Sequence, residues 1–396
     1  MSWTRMIRAL VMTLLVGCGG PSEPGPDARV DSDAAVARDA QPPLDGGTPP
    51  SDGGELPPIE LGDPITVAPE ELETWLWITM PEMRCADGSE GGFAVNMTER
   101  SGDLLFYLQG GGICYNALTC AAGGAARNVG DDPINTSLDG SIRGGRGVFD
   151  REDPTNPLRD MSYVVVPHCT GDFHLGTKIT RYGSTEIHHM GYFNIARAME
   201  RVVPTFADAE RVVLSGFSAG GVGITGNYHQ IASALAMVGQ PAPYLIADGG
   251  PLMRKPFLSD EAQVDLRDSW GLVDSIGRFC PSCMEDGYHD VYRMNALLHP
   301  GLRSSVVCAY ADSVVRLLYS VMNGGFNATE MRMGLVDLGD WTETYESEIL
   351  PGVHRTFYYE GERHGALNVD ALAATPGLAE FLDAQLGSGE WNSVRP

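Results

Sequence analysis

From about residue 61 onward the chain is punctuated by short, continuous apolar runs. The strongest are Leu104–Leu108, Tyr163–Val166, Arg211–Ser215, Tyr244–Ala247, Ser305–Tyr310 and Thr356–Tyr359. Runs of this length without polar alternation predict strands covered on both faces, the mark of a mostly parallel sheet. Between them the apolar period lengthens. Over 186–204, Ile187, Met190, Phe193, Ala196, Met199, Val202 and Val203 recur at helical spacing, and Pro204 is expected to stop the run. A last helix is expected over about 370–387. Strand–helix alternation on this scale predicts one α/β domain over 61–396, with helices on both faces of the sheet. A long stretch, roughly 250–305, separates the strand ending at Asp248 from the strand preceding Asp312 and reads as an insertion, or lid. No internal repeat is visible.

The first sixty residues follow other rules. Arg5 and Arg8 precede the apolar run Ala9–Gly17, which is too short to span a bilayer and is shaped like the core of an export signal. It ends in Leu15-Val16-Gly17-Cys18, which resembles the lipobox of bacterial lipoproteins. That resemblance implies a signal peptide over 1–18, lipidation of Cys18 and a membrane anchor of several acyl chains. Gly19, which is not acidic, implies an outer-membrane address in a two-membrane envelope. Residues 19–60, rich in Pro, Gly, Asp, Ser and Ala, have no periodic apolar face and read as a disordered acidic tether.

With 396 residues, 43% of them hydrophobic, the chain can bury a sizeable core. A formal net charge of −25 leaves no basic stripe to meet a polyanion, so a nucleic-acid partner is excluded.

The candidate chemistry clusters at strand ends. Arg211-Val-Val-Leu-Ser-Gly-Phe-Ser218-Ala-Gly-Gly reads as strand, tight turn and helix start, with Gly216 and Gly220 leaving room for a strained elbow that exposes the Ser218 hydroxyl. The Ala219 amide, at a helix N-terminus, would face a developing oxyanion. Gln109-Gly110-Gly111-Gly112-Ile113 follows the first strong strand, where Gly111 and Gly112 can bring further amides to the same oxygen. His364, on a loop after the last strand, is the candidate base. Two aspartates compete to orient it. Asp312, after the later strand, is preferred, and Asp248 is read as a structural or substrate-polarising group beside it. His168, beside Cys169, is a candidate pocket wall. The adjacent His188 and His189 read as surface or packing residues, and no spacing asks for a metal or other cofactor.

The segments LLFYLQGGGICYNALTC, YVVVPHCTGDFHLG, VVLSGFSAGGVG and IADGG, in that order and spacing, resemble the pectin acetylesterase and Notum family of carboxylesterases. The resemblance runs from about Cys85 to His364. It implies an α/β-hydrolase fold with a Ser218–Asp312–His364 triad. It also implies an ester substrate, foremost the O-acetyl groups of an extracellular polysaccharide such as pectin, or a long acyl group. The chain departs from the family at Ile113, where a large aromatic is usual, at Gln109, where an acid is usual, and at Phe217 beside the nucleophile. Ile113 and Phe217 are therefore candidate pocket residues. Resemblance and short loops suggest the disulfides Cys114–Cys120 and Cys85–Cys169. Cys280–Cys283 is a further candidate, leaving Cys308 a free thiol inside a strand. A lipase-like esterase, or a non-catalytic surface lipoprotein that binds polysaccharide, are the alternative expectations.

Overall fold

The computed structural model describes residues 58–122, 124–348, 354–368 and 372–396. The signal peptide, Cys18 and all but the last residues of the tether lie outside them.

An eight-stranded sheet organises the described residues. Its members are β1 (Leu76–Arg84), β2 (Glu90–Asn96), β3 (Leu104–Leu108), β4 (Ser162–Val166), β7 (Val212–Phe217), β8 (Tyr244–Asp248), β9 (Ser304–Ala309) and β10 (His354–Tyr359), in the order β1-β2-β4-β3-β7-β8-β9-β10. From β4 to β10 all neighbours are parallel, and β2 alone runs against both its neighbours. The crossover at β3 and β4 puts β3 and β7 in the middle. A separate antiparallel hairpin is formed by β5 (Lys178–Tyr182) and β6 (Thr185–His189).

The apolar runs are continuous because both sheet faces are covered. Leu104, Phe106 and Leu108 of β3 point into one core, together with Leu214, Leu245 and Val306. Helices α1 (Gly191–Thr205), α2 (Ala219–Ala236), α3 (Asp260–Trp270), α4 (Val291–Leu298), α5 (Ser313–Asn323) and α6 (Ala328–Glu348) contribute to that side. Leu105 and Tyr107 point the other way, into a second core with Val213, Ile246, Phe357 and the apolar face of α7 (Leu378–Leu386). This mixed, mostly parallel sheet between helical layers is an α/β-hydrolase fold.

The expected helix over 186–204 is corrected at both ends. Thr185–His189 pairs with Lys178–Tyr182 as a strand, and the helix begins only at Gly191. Pro204 lies inside the helix, which runs to Thr205. Proline has no N–H for the carbonyl of Glu200, and the Gly62 amide donates to that carbonyl instead at 2.9 Å. Near the C-terminus the described part of the expected helix is a short 3-10 turn, Leu372–Ala374, followed by α7. Strands β1 and β2 escaped the sequence reading because Pro81, Glu82 and two glycines interrupt their apolar pattern.

The insertion between β8 and β9 contains α3, α4 and several short helical turns. It docks on the segment after the Gln109–Gly112 loop: the Trp270 indole N–H donates to the Cys114 carbonyl at 2.8 Å, and the Ser269 hydroxyl to the Tyr115 carbonyl at 2.7 Å. Disulfides join Cys85 to Cys169, Cys114 to Cys120 and Cys280 to Cys283, and Cys308 is a free, buried thiol. Three disulfides require an oxidising compartment during folding. No helix among the described residues is long and apolar enough to cross a membrane.

Candidate active site

The site forms where the central strands end. β7 stops at Ser218, whose backbone is left-handed at φ 57° and ψ −121°, a costly conformation for a residue with a side chain. The turn is tight because both flanks are glycine. A side chain on Gly216 would strike the Gly220 carbonyl, and one on Gly220 the Leu108 carbonyl of neighbouring β3. The Ser218 amide donates to the Asp248 carbonyl at 2.7 Å, which ties the elbow to the end of β8. Ala219 then opens α2, its amide at the positive end of the helix.

His364 follows β10. Its Nδ1 lies 3.0 and 2.9 Å from the two carboxylate oxygens of Asp312. A carboxylate accepts, so the Nδ1–H donates to it and Nε2 faces away from Asp312. Asp312 is fully buried at the end of the β9 segment, while the His364 side chain keeps 16% of its surface exposed. One oxygen of Asp312 also accepts from the amides of Val314 and Val315, at 3.0 and 2.9 Å, capping α5. These bonds fix the carboxylate that fixes the histidine.

Asp248 has a different place. One carboxylate oxygen accepts from the amides of Ala366 and Leu367, both at 2.8 Å, and so holds the loop just beyond His364. Its other oxygen is buried without a hydrogen bond. Burial is the main cause that pushes this carboxyl up to about 6, against the opposing pull of the two amides and His364. The Tyr359 hydroxyl donates to the Gly365 carbonyl at 3.1 Å, and the Phe217 ring packs against the His364 imidazole with centroids 4.6 Å apart. Three neighbours thus hold one loop. Consecutive glycines link Ser218 and His364: Gly250 lies against the Ser218 carbonyl, and Gly249 against the His364 ring.

The Gln109–Gly112 loop passes over the elbow. A Cβ on Gly110 would lie 2.6 Å from the Phe217 carbonyl and 3.0 Å from the Ser218 Cβ, so only glycine lets the two backbones meet. Gly111 is exposed and Gly112 half-exposed. The Gln109 side chain donates to the Ser137 carbonyl and accepts from the Asp139 amide, each at 2.8 Å. A carboxylate there could make only the second bond.

Among the four expected pocket residues, Ile113 is buried in the core, His168 lies under Gly111, Phe217 backs His364 and Asp248 anchors the His364 loop. None of them lines the apolar cavity beside the elbow. That cavity is small, with free space of about 30 Å³, and is bounded by Val222 of α2, Phe173, Leu252, Trp270 of the lid, and Tyr319 and Met322 of α5. Sequence reading had no signal for it, because its walls come from four separated segments. His188 and His189 point to opposite faces of β6. His189 is buried, its Nδ1 bonded to the Thr170 carbonyl and its Nε2 to the Tyr182 hydroxyl. Among the described residues no group of three or more His, Cys, Asp or Glu side chains could hold a metal ion.

Residues 77–259 match the family model described as Pectinacetylesterase. The palmitoleoyl-protein carboxylesterase NOTUM of Homo sapiens is 28% identical over 171 residues, covering 42% of this chain and 34% of that protein. NOTUM of Schmidtea mediterranea is 27% identical over 162 residues, 39% of this chain and 29% of that one. Notum2 of Xenopus laevis is 29% identical over 156 residues, 38% and 30% respectively. The chain thus spans about a third of the length of the curated relatives it matches. Ser218, Gly111 and Gly112 fall inside the family match, whereas Asp312 and His364 lie beyond its end at residue 259.

Proposed function

We propose that the chain, whose residues 77–259 match the Pectinacetylesterase family model, is a serine carboxylesterase of that family with Ser218 as nucleophile, His364 as base and Asp312 as orienting acid. The observation that carries this reading is the bond from His364 Nδ1 to the buried Asp312 carboxylate, on a loop beside a strained serine elbow. His364 Nε2 takes the Ser218 proton, the serine oxygen attacks the ester carbonyl, and the alcohol leaves as His364 returns the proton. Water, activated by the same nitrogen, then hydrolyses the acyl-enzyme. The amides of Ala219 and of Gly111 or Gly112 hold the tetrahedral oxyanion, each contributing on the order of 3 kcal/mol.

The substrate we propose is an O-acetylated extracellular polysaccharide, of which pectin is the leading example, met by an enzyme tethered to the envelope through Cys18. A second reading, a longer acyl chain, draws on the apolar lining of the small cavity along α2, which would have to widen to admit one. A chain-length series of 4-nitrophenyl esters, run beside acetate release from acetylated pectin and xylan, separates the two. Under the second reading Val222→Phe, which fills the cavity near Ser218, selectively removes turnover of octanoyl esters. Ser218→Ala is expected to abolish hydrolysis of 4-nitrophenyl acetate with the fold intact, and retained turnover would refute the nucleophile assignment.

A further inference from the structure

Beneath the Gln109–Gly112 loop lies a buried polar layer that the triad does not use. His168 and His174 are 3% and 2% exposed, with ring centroids 4.8 Å apart. His174 Nε2 lies 2.9 Å from the Gln109 carbonyl oxygen, which can only accept, so that nitrogen carries the proton. His168 Nε2 lies 3.2 Å from the Phe173 amide, which can only donate, so that nitrogen is bare. Burial holds both rings neutral near pH 7, and the proton of His168 therefore sits on Nδ1. This Nδ1–H has no partner among the described residues. It lies directly against Gly111, where any side chain would collide with it.

The segment carrying both rings is costly to build. Phe173 and His174 are consecutive left-handed residues, at φ 55° and 59°, a strained conformation for residues with side chains. Fully buried Asp172 holds them there, accepting from the Thr170 hydroxyl and from the amides of His174, Gly176 and Gly191. The strain delivers two imidazoles of opposite tautomer to the underside of one glycine loop.

We infer that His174 and His168 are positioning residues of the oxyanion hole: His174 fixes the Gln109 carbonyl, and His168, through Nδ1–H, pins the loop at Gly111 when the tetrahedral intermediate forms. The inference rests on the serine-esterase reading above. Asparagine and glutamine dissect it, since glutamine reproduces the Nε2 position and asparagine the Nδ1 position. In 4-nitrophenyl acetate hydrolysis, His174→Asn and His168→Gln are expected to lower kcat about tenfold to a hundredfold with KM unchanged, less than the loss of an oxyanion donor itself. His174→Gln, which keeps the donor toward Gln109, restores kcat to within about threefold of wild type on the same scale. Affinity for a boronic acid that forms a tetrahedral adduct falls in step with kcat.

Thermal midpoints identify any variant that fails to fold, and the other two substitutions then decide. Wild-type kcat in both His174→Asn and His168→Gln, or a loss confined to KM or thermal midpoint with boronate affinity kept, overturns the inference. Fluorophosphonate labelling of the wild type comes first. If Ser218 is not labelled, both the esterase reading and this inference fall. If it is labelled and the variants keep kcat, only the inference falls.

Discussion

The two aspartates at the sheet end separate by what they touch. Asp312 meets the His364 ring and caps a helix, whereas Asp248 meets only backbone amides beyond that histidine. Asp312→Asn keeps a capping oxygen but favours the wrong imidazole tautomer. It is expected to reduce kcat by about 10⁴ with little change in thermal midpoint, measured with 4-nitrophenyl acetate and by calorimetry. Asp248→Asn is expected to keep activity within about tenfold, since it leaves the tautomer of His364 alone. Its effect is on stability, and the sign follows from the raised carboxyl near 6. A carboxyl held above its unfolded value favours the fold below about pH 4, and that advantage is lost as pH rises through about 6. Relative to wild type, Asp248→Asn should therefore gain on the order of 2–3 kcal/mol in urea denaturation on going from pH 4 to pH 7.

At the scale of elements, the lid and the glycine loop act as one unit through Trp270. Trp270→Phe keeps the packing but leaves the buried Cys114 carbonyl without its donor, a cost of about 1–3 kcal/mol readable by urea denaturation. Most central strands were legible in the sequence because two-sided burial writes continuous apolar runs, as at Leu104–Leu108. The elbow was legible because its sterics admit only glycine at Gly216 and Gly220. The hairpin β5–β6 was not. Ile187 and Met190 fit a helical period by chance, and pairing with Lys178–Tyr182 is a non-local fact. The histidine layer was hidden for a related reason: His174 reaches Gln109 across 65 positions, and nothing local marks either ring as a support. Asp312 could be preferred because it follows a later strand and fits the family pattern there, but its separation from Asp248 rests on which atoms meet the His364 ring.

For the whole molecule, the dominant titration is that of buried histidines. His174 is pushed down to about 4, His189 and His354 to about 3, and His168 well below its ordinary value, all by burial first. A histidine depressed in the fold stabilises it above the unfolded pKa near 6.5 and loses that contribution as pH falls toward the folded value. Stability should therefore decline from pH 7 to pH 4.5, by up to about 1 kcal/mol per pH unit for each ring. This outweighs the opposite trend of the three carboxyls that burial raises, Asp248, Asp172 and Glu200. Equilibrium denaturation across that range checks it, and a stability maximum below pH 5 would contradict it.

The strand order has a consequence in time. Ser218 is carried by the central strand β7, whereas His364 follows β10 at the sheet edge, reached only across β8 and β9. Nearly 150 residues of chain lie between them, a long-range closure of the sort that slows folding. Regained esterase activity therefore works as a clock for the last edge of the sheet. Far-UV signal and core fluorescence can recover while the enzyme is still silent, and the lag measures the docking of β9 and β10.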